Sequence, residues 1–201
     1  MTESLSSNEF AKDLKHATAA LHVELESLSV SQSILSPHVS IKDYLHYLDV
    51  MYDIVVAVEK FVFPRVSSEF SNLDLRRKKP LLEQDFQSLH YKKHQEVRIA
   101  GLSEEVKSLG FAMGILYVIE GSSLGGRVIL KHIQKTLNIE QATGAAFFAG
   151  YGDRTGILWK EFMEALVIHQ ITNNNGNEII AGANHAFDVI IKHFRANPKN
   201  S

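Results

Sequence analysis

The chain has 201 residues, which suits one large domain better than two small ones. A net charge of −2 with 22% charged residues argues against nucleic-acid binding by bulk electrostatics. The absence of cysteine excludes disulfides, thiolate nucleophiles and cysteine-ligated metal centres. No apolar run reaches membrane-spanning length without interruption, and the N-terminus lacks the pattern of a signal peptide. We therefore expect a cytoplasmic protein with no membrane partner.

The first predicted helix covers residues 8–28. A polar face beside its apolar stripe carries Lys15, His22 and Glu26. His22 and Glu26 are four residues apart and therefore adjacent, and Lys15 shares their face two turns away. This face is either a solvated surface with one helix-stabilising pair, or a metal-ligating imidazole oriented by a carboxylate, with a lysine placed for an anionic group. The apolar stripe consists of Phe10, Leu14, Ala17, Leu21, Leu25 and Leu28.

A second helix is predicted over residues 41–63, with Ser40 as its N-cap and Pro64 as its stop. A third covers residues 73–90 and should break and restart at Pro80. His90 and His94 could bind a metal together only if they were helical, and their neighbours Tyr91, Lys92 and Lys93 indicate an exposed loop instead. Two further side chains are expected to be solvated: Lys78 and Lys79.

The central helix is predicted to start at the N-cap Ser103, with Glu104 and Glu105 in its first turn, and to run to residue 137. Two more predicted helices cover residues 155–171 and 176–195. The sum is an all-α chain that forms a single domain over residues 1–201, with termini expected to fray at about 1–7 and 196–201.

The central helix is unusual because it keeps several glycines, each of which costs roughly 1 kcal/mol of helix stability. Gly114, Gly121 and Gly125 are spaced by seven and then four residues, so they lie on one face. Such a face lets something approach the backbone closely. The partner could be another helix or a flat ligand.

Several familiar sites are absent from the sequence. It has no phosphate-binding P-loop and no Glu-x-x-His pair of the kind that binds two irons in helical bundles. One well-placed histidine on an early helix and one glycine-opened helix remain. Together they could sandwich a flat ligand, with the imidazole on one side and close backbone on the other.

Three segments, residues 14–26, 75–86 and 116–126, resemble the heme oxygenase family in the order in which that family has them. The last of them is similar to the distal helix of the bacterial, biliverdin-producing branch. The resemblance extends to Trp159, Lys160 and the terminal helix around Phe187. It implies an all-α fold in which heme is sandwiched between a proximal helix and a kinked distal helix.

The resemblance also implies roles for individual residues. His22 takes the place of the ligand to the heme iron, and Glu26 that of the carboxylate near this imidazole. Gly121 and Gly125 match the glycines on the oxygen-binding side of the heme, with Ser122 between them. Four more residues match cofactor-binding positions, as propionate partners (Lys15 and Lys160) or as aromatic lining (Phe187 and Phe194).

The activity that the resemblance implies is oxygen-dependent conversion of heme to biliverdin, carbon monoxide and ferrous iron. Heme would be both cofactor and substrate, with O2 and an external reductant as co-reactants. A ferredoxin, a flavodoxin or a flavin reductase would supply the electrons, and a bilin-binding photoreceptor could take the product. Five basic residues could form a rim for an acidic donor: Lys12, Lys15, Arg127, Lys131 and Lys135.

The sequence departs from the animal enzymes of this family at two positions. Ser122 stands where they have an aspartate that organises distal water, and a hydroxyl cannot supply a carboxylate's charge. Glu164 stands where they have an arginine near a propionate, so we expect no heme role for it. Two other functions remain open: a heme-binding carrier or sensor that has lost turnover, and a thiamin-degrading enzyme, which the absence of cysteine disfavours.

Overall fold

Helices make up the regular secondary structure of the chain in its computed structural model, which describes residues 2–93, 95–103 and 106–198, with side chains from residue 9 onward. No strand occurs in these residues, which confirms the predicted all-α class. The α-helices are α1 (Thr2–Ser27), α2 (Ser29–Ile34), α3 (Ile41–Ala57), α4 (Phe63–Val66), α5 (Lys79–Ser88), α6 (Ala100–Ser103), α7 (Leu109–Leu137), α8 (Ala146–Ala149), α9 (Thr155–Asn173) and α10 (Gly176–Ala196). Single 3₁₀ turns cover Leu73–Arg76, Gln141–Thr143 and Gly152–Arg154.

The predicted apolar stripes of the helices form most of the core. On α1, Phe10 and Leu14 are buried, whereas Ala17 is exposed, contrary to the predicted stripe. Ala17 has little apolar surface to bury, so its exposure costs little. The predicted core positions of the second and last predicted helices are all buried: Tyr44, Leu48, Met51, Val55 and Val58, and Ile179, Ala183, Phe187, Ile190 and Phe194.

Pro64 does not stop the second helix, contrary to the prediction. Helix α3 is capped by Ser40 as expected, and a π-helical turn, Val58–Val62, joins it to α4. Pro64 lies in the first turn of α4. Proline is tolerated there because the first N–H groups of an α-helix have no acceptor within the helix, so the missing N–H costs no hydrogen bond. The widened turn therefore lets the chain remain helical through the proline.

The break before Pro80 is confirmed, but one of its lysines is not solvated. The 3₁₀ turn Leu73–Arg76 ends before the break, and α5 restarts with Pro80 in its first turn. Lys78 is only 5% exposed, and its Nζ donates to the Tyr151 hydroxyl at 2.7 Å. The prediction for Lys78 was wrong because a tertiary partner on a distant segment is invisible in local sequence.

The central helix begins later than predicted. Ser103 ends the short helix α6, while the hydroxyl of Ser108 accepts the Phe111 N–H at 3.2 Å and caps α7. Ser108 also donates to the Glu178 carboxylate at 2.6 Å, so contact with α10 helps to select it as the cap. Glu104, Glu105 and His94 lie outside the described residues.

The segment after α5 is a loop, as expected, and His90 and Lys92 are exposed, but Lys93 is not. Lys93 pairs with Asp53 on α3 at 3.1 Å and is 10% exposed. His90 lies beyond the end of α5 with a left-handed backbone (φ 51°), so it does not continue a helix. Burial favours a higher pKa for Asp53, but hydrogen bonds from His193, Val97 and Lys93 hold that pKa below its usual value.

Helix α10 packs against both α1 and α7 and thereby joins the two helices that carry the predicted site. The crossing of α7 and α10 is close because each contributes a glycine. A Cβ on Gly114 would lie 2.0 Å from the Ile179 carbonyl oxygen, and one on Gly182 would lie 2.0 Å from the Phe111 carbonyl oxygen. Gly114 is therefore a helix-packing glycine.

By length and composition alone, one helix among the described residues, α7, could span a membrane. Of its most apolar 18-residue window, 56% is buried among the other helices. The central helix of a globular core has this same character.

Candidate functional site

Helix α1 presents His22 and Glu26 on its accessible face, as the spacing predicts. Their side chains are 57% and 66% exposed, and His22 Nε2 lies 3.7 Å from Glu26 Oε1. This distance exceeds hydrogen-bond reach, so the carboxylate is near the imidazole without binding it. An accessible imidazole of this kind can serve as a metal ligand.

Aromatic side chains from α10 lie beneath this face. The His22 and Phe187 rings meet edge to face, with centroids 5.8 Å apart and planes at 85°. Phe194 is 2% exposed and packs against Tyr47, whose ring also contacts Phe148. The structure therefore places Phe187 beside His22, whereas Phe194 belongs to an aromatic cluster formed with α3 and α8.

The predicted distal glycines of α7 have different surroundings from Gly114. A Cβ on Gly121 would lie 3.6 Å from Trp159 Cη2, an ordinary contact, and a Cβ on Gly125 would meet nothing within 4 Å. Beside Gly125, Leu124 is 42% exposed and Val128 is 63% exposed. This stretch of α7 is thus an open, apolar surface with accessible backbone.

Two serines between these glycines bond back to their own helix. The Ser122 hydroxyl donates to the Ile119 carbonyl at 2.7 Å, and the Ser123 hydroxyl donates to the Glu120 carbonyl. Back-bonding of this kind loosens the regular helical ladder locally. Because Ser122 is exposed and its proton is engaged, its oxygen can still accept a hydrogen bond from water or a ligand.

A contact between α1 and α7 lies close in sequence to both the His22 face and the distal glycines. Thr18 and Tyr117 interact through their side chains, although burial dominates and raises the pKa of Tyr117. His22 lies one turn after Thr18, and Gly121 lies one turn after Tyr117, so both site segments extend from this contact along their own helices. Helix α10 packs against both helices.

The predicted propionate partners, Lys15 and Lys160, are both exposed. Lys160 lies 3.7 Å from Glu164 one turn later on α9, and both side chains are more than half exposed. An exposed ion pair of this kind contributes little to stability, so Lys160 can leave Glu164 and bind an anionic ligand at little cost in free energy. The five predicted rim residues are also exposed: Lys12, Lys15, Arg127, Lys131 and Lys135.

A flat, apolar, metal-containing ligand with acidic groups fits these residues. The imidazole of His22 has no hydrogen-bond partner in the described part of the chain, and the space above Gly125 is free of side chains. Two shallow cavities of about 300 Å³ lie elsewhere, one beside Phe63 and Arg77 and one beside Phe10 and Asn174. Because His22 and the backbone at Gly125 are both exposed, the candidate site is an open face.

Comparison with known proteins identifies the family. The Heme oxygenase family profile matches residues 8–196. The chain belongs to the heme oxygenase family. A heme oxygenase from Neisseria meningitidis, solved with NO and CO bound, is 27% identical, and the match covers 96% of this chain and 94% of that one with a TM-score of 0.72. No curated protein gives a significant match to the sequence.

More distant heme oxygenases share the fold. Heme oxygenase-1 of the cyanobacterium Synechocystis sp. PCC6803, solved with heme, is 20% identical with a TM-score of 0.72, over 93% of this chain and 91% of that one. Heme oxygenase 2 of Chlamydomonas reinhardtii, solved without heme, is 16% identical with a TM-score of 0.78, over 96% and 99% of the two chains. The helical fold is therefore that of heme oxygenases, and family membership points to heme degradation.

Sequence reasoning missed the residues that support the distal segment of this heme oxygenase fold. Trp159 was noticed only as part of the resemblance, yet it packs against Gly121 and, with ring centroids 5.7 Å apart, against Tyr117. Glu120, one residue before Gly121, is 1% exposed and pairs with the buried Arg76. A carboxylate inside an apolar run was the available signal for this pair, because a buried charge needs a partner.

Proposed function

We propose that this chain degrades heme with O2, releasing biliverdin, carbon monoxide and ferrous iron, and takes its electrons from an external donor. The observation that carries the proposal is the combination of an accessible imidazole on α1 with an open glycine backbone on α7, in a chain of this family. Both elements pack against α10. An imidazole and a glycine face suit a ligand that is flat and carries a metal.

Bound heme would supply both the iron that activates O2 and the macrocycle that is oxidised. His22 would hold the iron through a ring nitrogen, and Phe187 would support the imidazole from its edge. Lys15 and Lys160 would bind the propionates at the exposed edge of the site. Glu26 lies close enough to favour the ring orientation electrostatically without blocking a nitrogen.

The distal segment would control what lies over the other side of the macrocycle. Neither Gly121 nor Gly125 adds a side chain there: the Cβ position of Gly125 is empty and would leave room for O2 beside the backbone, whereas that of Gly121 is bounded by Trp159. Ser122 would hold water, because its oxygen accepts a hydrogen bond while its own proton stays on the Ile119 carbonyl. A water held there could deliver protons without the aspartate that animal enzymes have at this position.

The electron donor would be an acidic ferredoxin or flavodoxin, or a flavin reductase, that docks on the basic rim. All five rim residues are exposed, which such docking requires. We also propose a cytoplasmic location, where these donors operate. Slower reduction of bound heme by the donor at high salt would support docking on the basic rim, because salt screens exposed charge pairs.

Reconstitution with hemin tests the function directly. Purified protein is titrated with hemin, reduced by a donor and exposed to O2, while absorption is followed. Loss of the Soret band with growth of bilin absorption and release of carbon monoxide is the expected outcome. Bound heme that is reduced and exposed to O2 but keeps its Soret band would instead identify a carrier or sensor and overturn the catalytic proposal.

A further inference from the structure

A buried ion pair lies directly behind the distal glycines. Arg76, in the 3₁₀ turn before α5, is 1% exposed, and its Nη1 lies 2.5 Å from Glu120 Oε2 on α7. The second Glu120 oxygen accepts the Tyr151 hydroxyl at 2.7 Å. Both carboxylate oxygens are therefore engaged, and removal of either partner would leave a buried charge uncompensated.

Lys78 completes the cluster on the side of Tyr151. Its Nζ donates to the Tyr151 hydroxyl at 2.7 Å, lies over that ring at 4.1 Å from the centroid, and is 3.8 Å from Glu120 Oε1. Burial lowers the pKa of Lys78, against the opposing attraction of Glu120, and nearby Arg76 lowers it further. Two cations thus converge on one carboxylate of the distal helix.

Arg76 also binds the neighbouring helix. Its Nη2 donates to the Leu158 carbonyl oxygen of α9 at 3.2 Å, so one guanidinium joins α7 to α9. A planar guanidinium with two such contacts fixes both direction and spacing. The two residues that it holds, Glu120 and Leu158, are the chain neighbours of Gly121 and Trp159.

Gly121 and Trp159 face each other across this α7–α9 contact. The Trp159 ring atoms Cη2 and Cζ3 lie 3.6 and 3.7 Å from the position of a Cβ on Gly121. The indole also stacks on Phe162, with ring centroids 5.8 Å apart and planes at 28°. The width of the gap at Gly121 therefore depends on how far α9 stands from α7, which is the spacing that Arg76 fixes.

We propose that Arg76 and Glu120 are positioning residues that set the spacing between Trp159 and the Gly121 backbone, and so fix the distal segment over bound heme. The proposal rests on the proposed function for its consequence, which is the choice of the meso carbon that is oxidised. Loss of the pair lets α7 and α9 separate at Gly121. A mixture of bilin isomers then replaces the wild-type pattern.

Trp159 is the only tryptophan in the chain, so its fluorescence reports this gap without heme. Glu120→Gln keeps the shape of the side chain but removes the charge that binds Arg76. The double variant Arg76→Met with Glu120→Leu replaces the pair with apolar groups, which buried sites often tolerate without loss of stability. In both apo-proteins we expect Trp159 emission at longer wavelength and stronger quenching by acrylamide than in the wild type.

The matched control is Lys93→Met, which breaks a buried ion pair between Lys93 and Asp53 of α3 and so changes no residue of α7 or α9. It should lower thermal stability while leaving Trp159 emission unchanged. Circular dichroism first establishes that each variant is folded. If Glu120→Gln is unfolded, the double variant decides the outcome, because it leaves only Lys78 without its carboxylate partner, whereas Glu120→Gln leaves both cations without one.

Bilin isomers from the reconstituted variants provide the second readout. An altered isomer ratio together with altered Trp159 emission supports the proposal. A folded double variant with wild-type emission overturns it, as does altered emission with the wild-type isomer ratio. If the wild type itself forms no bilin, the proposed function fails, whereas the emission comparison in the apo-protein still decides whether the pair sets the gap.

Discussion

The imidazole of His22 on α1 stands against the edge of the Phe187 ring on α10, with centroids 5.8 Å apart and planes at 85°. His22 is 57% exposed, whereas Phe187 is 5% exposed. A buried ring thus supports an accessible one. Because the carboxylate of Glu26 is too distant for a hydrogen bond, this contact carries much of the orientation of the imidazole.

Substitution of Phe187 should therefore lower hemin affinity by more than the loss of buried apolar area alone would cause. In Phe187→Leu we expect a modest loss of stability and a clear fall in hemin affinity, because the imidazole loses the ring that orients it. The measurements are thermal unfolding and hemin titration. Phe194→Leu is the control, since Phe194 is equally buried but packs against Tyr47. Equal losses of affinity in both variants would contradict the orienting role.

Removal of the predicted iron ligand should spare the fold. Because His22 is exposed, His22→Ala should change the free energy of unfolding by less than about 0.5 kcal/mol. The spectrum of imidazole-ligated heme should disappear and return in part when imidazole is added. His16→Ala, at another exposed position of α1, is the control and should keep the wild-type spectrum. A wild-type spectrum in His22→Ala would place the ligand elsewhere.

Asp85 should make the stability depend on pH in an unusual direction. Burial raises its pKa to about 6, against hydrogen bonds from the Phe147 and Ala146 amides that favour the ionised form. An unfolded aspartate titrates near pH ~4. Between these values the folded protein keeps a proton that the unfolded chain has lost, so this contribution to the unfolding free energy falls as pH rises.

The size of the Asp85 effect follows from about 1.4 kcal/mol per pKa unit, which predicts a loss of about 3 kcal/mol between pH ~4 and ~7. Urea unfolding of wild type and Asp85→Asn over this range isolates the contribution, because an amide does not titrate. The stability of the wild type relative to the variant should decrease as pH rises. Asp188→Asn, at an exposed position, is the control. If the difference in unfolding free energy between wild type and Asp85→Asn stayed constant over this pH range, the raised pKa of Asp85 would be refuted.

The main helices were predictable because each follows local chemistry. The apolar repeat of α10 identified all five of its predicted core positions, and Ser40 was correctly predicted as the N-cap of α3. Errors arose where a distant group decides the local structure. Glu178 supports Ser108 and not Ser103 as the cap of α7, and the π-helical turn lets α4 continue through Pro64.

The candidate site was predictable only in part for the same reason. His22, Glu26 and the glycines lie on two helices whose faces can be derived from residue spacing. The support from Arg76 and Lys78 joins segments 44 and 73 residues apart in sequence, to Glu120 and Tyr151 respectively. Sequence patterns within one helix contain no information about such pairs, so Lys78 looked like a solvated lysine.

The glycines of α7 allow packing to be separated from chemistry with a matched pair of variants. A Cβ at Gly114 would lie 2.0 Å from the Ile179 carbonyl oxygen, a rigid backbone atom, whereas one at Gly125 would meet nothing within 4 Å. Gly114→Ala should therefore destabilise the apo-protein by about 1–3 kcal/mol or more. Gly125→Ala should be neutral or stabilising by up to about 1 kcal/mol, because alanine favours the helix.

The decisive prediction is that Gly125→Ala, the more stable of the two variants, loses catalytic activity. In Gly125→Ala, a methyl group stands in the open space over the distal side, so bilin yield should fall or its isomer ratio should change while hemin still binds through His22. Thermal unfolding, hemin titration and bilin yield are measured on both glycine variants and on the wild type. Normal turnover in Gly125→Ala would show that the open space has no role in the reaction. A loss of yield with stability and hemin affinity retained would assign the space to O2, since Gly114→Ala shows what a purely structural defect does to the same three measurements.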